Sequence, residues 1–132
     1  MRYMLLFYGC DRPQPGDPRF EGALARTNAF TEECRKRGAF VAAGPLKPVH
    51  TATTVRVREG RTLMTDGPFA ETHEQLGGYC VLECPNLDEA LELAAMAPMA
   101  YEGSVEVRPM DEIPGWDDSP SAALTRSAAG SA

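Results

Sequence analysis

Asp66, Glu71, His73 and Glu74 lie within eight residues of one another, so one short stretch sets an imidazole among three carboxylates. An imidazole titrates near neutrality, so a carboxylate beside it makes an acid-base pair, with Asp66 and His73 as the catalytic candidates. Glu71 and Glu74 are binding candidates, and a second carboxylate added to such a pair would make at best a weak site for a divalent cation. Asp66 also precedes Gly67-Pro68, where its side chain can accept backbone N–H groups of the turn it starts. Both roles of Asp66 stand open. A second set of candidates is Arg56, Glu106 and Arg108, because a guanidinium offers carboxylates a planar fork and a neighbouring Glu would fix its direction. The competing reading of these three is surface or cross-strand ion pairing. No zinc signature, phosphate-binding glycine loop or nucleophile elbow occurs, so no metal site is expected and no cofactor is called for. His50, on the irregular Pro48-Val49-His50 segment, reads as a solvated loop residue.

These groups need elements to hold them. Residues 3–8 are apolar on both alternating sets, Tyr3, Leu5, Phe7 and Met4, Leu6, Tyr8, the pattern of a strand covered on both faces. Three prolines and two glycines make residues 9–18 a loop, and Asp17-Pro18 predicts a helix start. Phe20, Ala23, Leu24, Thr27, Phe30 and Cys34 then recur at helical steps, with Gly38 as the stop. Residues 39–43 form a short strand, and residues 53–58 and 61–65 flank the Glu59-Gly60 turn as a β-hairpin. A strand comes next at residues 79–84. Asn86 with Glu89 caps a second helix whose inner stripe is Leu87, Ala90, Leu91, Ala94 and Ala95, ended by Pro98. Residues 104–110 close the series, with Val105 and Val107 opposite Ser104, Glu106 and Arg108. The domain is expected over residues 1–110, with a tail at 111–132 that turns acidic and then Ser/Ala/Gly-rich, a composition unable to order itself unaided.

Strand, helix, strand, hairpin, strand, helix, strand is an α+β order, a ferredoxin-like βαβ-βαβ frame with an inserted β-hairpin. Right-handed crossovers put both helices on one face of the sheet. The other face is then bare, although residues 3–8 are apolar on both sides, and a second copy packed sheet to sheet would cover it as a dimeric α+β barrel. Covering by the hairpin and the tail of the same chain is the alternative. A chain of 132 residues suits one domain, and its formal charge of −6 argues against nucleic-acid partners, which are held by Lys and Arg. The N-terminal apolar run is too short for a signal peptide or a membrane span, so a cytoplasmic, membrane-free protein is expected. Of the four cysteines, Cys80 and Cys84 sit on one strand face about 13 Å apart, beyond disulfide reach, and read as buried thiols.

Asp66-Gly67-Pro68-Phe69, with the N-terminal apolar strand, Gly44-Pro45-Leu46, Thr53-Thr54-Val55-Arg56 and Glu106-Val107-Arg108-Pro109, resembles the DGPF-domain proteins of the YCII-related family. The resemblance implies the dimeric barrel and no particular reaction; in such a barrel the second face contains a cleft, and Arg56, Glu106 and Arg108, if they share it, would hold a small polar or anionic molecule. It also implies a functional link to an extracytoplasmic-function sigma factor, hence a non-catalytic ligand-binding or regulatory module as the alternative to acid-base chemistry. The His and Asp associated with smaller members of the family fall on Thr27 and Lys36 here, so that pair is absent. The branch usually shows Thr-Lys-Glu where this chain has Thr72-His73-Glu74.

Overall fold

The computed structural model describes residues 1–116. Expectations for residues 117–132, including the Ser/Ala/Gly-rich tail, lie outside the described residues. In chain order the elements are β1 (Arg2–Gly9), α1 (Phe20–Lys36), β2 (Phe40–Pro45), β3 (Thr53–Arg58), β4 (Arg61–Asp66), β5 (Gln75–Glu83), α2 (Leu87–Ala94), α3 (Met99–Glu102) and β6 (Ser104–Pro109). The main sheet runs β2-β5-β1-β6 with every neighbouring pair antiparallel. The units β1-α1-β2 and β5-α2-β6 therefore interleave, each leaving room for a strand of the other, which is the split βαβ arrangement expected from the order of elements.

The apolar alternation of β1 explains its central place. Tyr3 and Leu5 join Phe30 and Cys34 of α1, Cys80 and Leu82 of β5, and Ala90, Leu93 and Ala94 of α2 in one buried cluster, so both long helices cover the same face. Phe7 meets Phe30 edge to face, with ring centroids 6.3 Å apart. The opposite face carries Met4 and Leu6, which stand across from Val81 and Tyr79 on β5 and from Arg108 and Glu106 on β6. Of these six residues four are apolar and two are charged. Cys34, Cys80 and Cys84 are buried, as expected for Cys80 and Cys84. Burial first, and then the neighbouring thiol charge, pushes Cys34 up to about 11 and Cys80 up to about 12, and burial raises Cys84 as well.

Several boundaries differ from the sequence expectation, each for a local reason. Asp17 does not cap α1: its carboxylate accepts the Arg19 N–H at 2.8 Å and closes a turn before the helix begins. Of the expected inner stripe only Phe30 and Cys34 are buried, while Leu24 is 40% exposed, because the first half of α1 runs past the edge of the cluster. In α2 the inward leucine is Leu93, and Leu87 and Leu91 face outward. The Asn86 side chain does accept the Glu89 N–H, at 3.0 Å. Pro98 starts α3, a helical turn not anticipated. No helix among the described residues is long and apolar enough to cross a membrane.

The hairpin stands apart. β3 and β4 pair only with each other, around a turn in which Glu59 and Gly60 have φ of 52° and 74°. Val55 and Met64 oppose one another on one side of it and are 58% and 72% exposed. The hairpin therefore does not cover the helix-free face within the described chain.

Candidate functional site

The Asp66-Gly67-Pro68-Phe69 turn ends β4, and its geometry is carried by Gly67. That residue has φ of 98°, donates its N–H to the Ala52 carbonyl at 2.7 Å and accepts the Thr54 hydroxyl at 2.9 Å. Left-handed φ suits glycine and few other residues. The Asp66 carboxylate takes part in no hydrogen bond or ion pair among the described residues and is exposed. The turn role proposed for its side chain is thus filled by the backbone of the next residue. Phe69 is 80% exposed.

The loop then returns to the main sheet at the end of β1. Residues Phe7 and Tyr8 of β1 face Gly78 and Leu76 of β5, leaving Gly77 as the extra residue of a bulge. Bulges twist the ladder and re-aim the neighbouring residues. The Gly77 carbonyl accepts the Leu46 N–H at 2.9 Å and Arg12 Nη1 at 2.8 Å, and Arg12 Nη2 reaches the Leu46 carbonyl at 2.6 Å. Arg12 thereby ties the segment after β1 to the ends of β2 and β5. The same segment is braced by Arg19, which holds Asp11 at 2.8 Å and Asp17 at 2.7 Å. Hydrogen bonds from the Arg19 side chain and backbone lower the Asp17 carboxyl to about 2.

Two polar pairs form where these strands end. His73 Nε2 lies 3.6 Å from Cys10 Sγ, and the Ser104 hydroxyl donates to Glu74 Oε2 at 2.8 Å. Ser104 reaches this position because Gly103 packs against the end of β1: a Cβ there would lie 2.0 Å from the Tyr8 carbonyl oxygen. His73 and Glu74 are adjacent in sequence, so one backbone step joins the two pairs. Asp66 and His73 are joined by no hydrogen bond or ion pair, and Glu71 is exposed without one, among the described residues. Arg56 is exposed on the hairpin across from Leu63, on a different sheet from Glu106 and Arg108. Those two form a loose pair at 3.8 Å on the helix-free face of β6, both largely exposed. An exposed pair at that distance contributes little to stability.

Cys10, Arg12 and Ser104 belong to this end of the sheet and were not singled out as site residues by the sequence. Cys10 falls in the loop expected over residues 9–18, and its partner lies 63 positions away. Among the described residues no group of three or more His, Cys, Asp or Glu side chains is arranged to hold a metal ion.

The model of the YCII-related domain family matches residues 1–114. An uncharacterized protein of Rhizobium meliloti (strain 1021) is 46% identical over 79 residues, 54% of this chain and 64% of that protein. The match thus spans less than two-thirds of that relative's length. A solved structure of 5-chloro-2-hydroxyhydroquinone dehydrochlorinase from Burkholderia phenoliruptrix AC1100, in complex with 2,5-dihydroxybenzoquinone, is similar at 16% identity. That likeness covers 86% of this chain and 96% of the dehydrochlorinase with a TM-score of 0.47, a level that supports no transfer of activity.

Proposed function

As the chain belongs to the YCII-related domain family, we propose that it is a DGPF-type homodimer that binds a small polar or anionic molecule beside the signature loop. Asp66 and His73 serve as its acid-base groups, and Glu71 and Glu74 line the approach. The observation that carries this reading is the unspent carboxylate of Asp66. The turn is already made by Gly67, so the charge at Asp66 has no structural task among the described residues. An exposed carboxylate at the mouth of such a loop is available to a ligand.

The second copy supplies what one chain lacks. Met4, Leu6 and Tyr79 leave an apolar strip on the helix-free face, and the hairpin exposes Val55, Val57 and Met64. Apolar area of this extent favours a partner surface. Sheet-to-sheet packing would bury the strip and bring Arg56, Glu106 and Arg108 towards a common cleft, where paired guanidinium groups hold carboxylates.

Two measurements test this reading. Light scattering coupled to size exclusion at micromolar concentration should return twice the chain mass, and a monomer throughout would remove the dimer. Melting curves with a panel of small polar metabolites should show ligand-induced shifts in the wild type that shrink in both Asp66→Asn and His73→Ala. Shifts equal in all three proteins would remove the site. A non-catalytic regulatory module linked to a sigma factor is the second reading, favoured by Phe69 standing 80% exposed on the loop. It predicts no small-molecule shift and loss of a protein partner in Phe69→Ser.

A further inference from the structure

We infer that Cys10 is a nucleophilic thiol served by His73, and that this end of the sheet takes soft electrophiles of the α,β-unsaturated carbonyl class. The inference rests on the site proposed for the small polar ligand, of which it uses His73 and does not use Asp66. A nucleophile and a base within hydrogen-bond reach, brought together from separate parts of the chain, are the arrangement that activates a thiol. Here Cys10 Sγ and His73 Nε2 are 3.6 Å apart, from the end of β1 and from the loop before β5, and both residues are exposed. That contact lets the thiol donate to Nε2 in the tautomer that leaves this nitrogen unprotonated.

The neighbourhood is built to hold the pair in place. Arg12 clamps the segment after Cys10 onto two backbone carbonyls, and Glu74, next to His73, is fixed by the Ser104 hydroxyl. The other three cysteines are buried at 0%, 2% and 1% exposure for Cys34, Cys80 and Cys84. Cys10 is therefore the thiol open to a reagent.

The chemistry is set by what the pair can supply. The Cys10 S–H proton passes to His73 Nε2 as Sγ forms a bond to the β-carbon of the unsaturated carbonyl compound. The C=C π pair moves onto the α-carbon and carbonyl as an enolate, and the proton held on His73 returns to the α-carbon. Nothing is oxidised, and no group leaves. Addition suits this site because the one proton released is the one the adduct needs, and its carrier is already in contact with sulfur.

N-ethylmaleimide, an unsaturated imide, is the probe. Intact-mass analysis of the folded protein at neutral pH should show one adduct per chain, absent in Cys10→Ser, whereas the unfolded chain should take up four. His73→Ala should react at least ~10-fold more slowly, the lower range of what a positioned base contributes, and free imidazole should restore part of the rate. Wild type and His73→Ala reacting at equal rates, or no rescue by imidazole, would overturn the inference, as would adducts on Cys34, Cys80 or Cys84 in the folded protein. If Cys10 proves inert while small polar metabolites still give shifts sensitive to Asp66→Asn, the thiol alone is removed; if both fail, the site is removed with it.

Discussion

The division of labour between Asp66 and Gly67 gives the sharpest test of how the signature turn works. In the folded chain Gly67 has φ of 98° and space around it, since an added Cβ would meet nothing within 4 Å. Gly67→Ala therefore introduces no clash, and its cost is purely conformational, about 1–2 kcal/mol for placing an L-residue in the left-handed region. For a domain of this size that corresponds to a fall in melting temperature of roughly 3–8 °C. Asp66→Asn is the contrasting perturbation. Its carboxylate accepts nothing among the described residues, so the change removes charge without removing a bond and should stay within about 0.5 kcal/mol, as surface substitutions usually do. Thermal unfolding monitored by circular dichroism, with urea titration to confirm unchanged slopes, measures both variants in one series. An Asp66→Asn cost equal to that of Gly67→Ala would refute this division. That result would show the carboxylate accepting backbone N–H groups, a loss worth about 1–2 kcal/mol, and would return Asp66 to a structural role.

The core and the sheet end give two further expectations. Gly103→Ala should destabilise by more than ~2 kcal/mol, because its Cβ would sit 2.0 Å from the Tyr8 carbonyl oxygen and 3.1 Å from Gly9 Cα, backbone atoms that yield only if β1 and β6 separate; a melting point within a degree of wild type would contradict this. Stability should fall as pH rises above 9, where thiols of the unfolded chain ionise while burial keeps Cys34 and Cys80 protonated up to about 11 and about 12. The unfolded state then binds fewer protons than the folded state, so the slope is negative, at most about 1.4 kcal/mol per pH unit for each thiol. Cys80→Ala should decline less steeply between pH 9 and 11, and equal slopes would show that the thiol does not drive the loss.

Much of the architecture was legible from the sequence because it depends on periodicity and local chemistry. Two-sided apolarity placed residues 3–8 at the centre of a sheet, and the Glu59-Gly60 turn with alternating neighbours marked the hairpin. Asn86 announced the second helix through a cap that acts within one turn, and the interleaved strands were implied by the order of elements. The sequence does not show which leucine of α2 points inward, because a helix of eight residues carries two overlapping apolar stripes and only its docking angle selects Leu93 over Leu91. The loop groups were recognisable by type, and Asp66, Glu71, His73 and Glu74 were singled out on that basis. Their partners were not recognisable, because contacts between distant positions depend on where strands end and how a bulge turns them. His73 meets Cys10 across 63 residues, and Glu74 meets Ser104 across 30. The sequence by itself determined the six strands and the two longer helices and marked by type the loop residues able to carry chemistry, since both are properties of short windows. Only the tertiary structure decided that Gly67 makes the turn, that the hairpin stands clear of the sheet, and that a thiol faces the imidazole. Each of those outcomes depends on the register and closure of strands that no local pattern encodes.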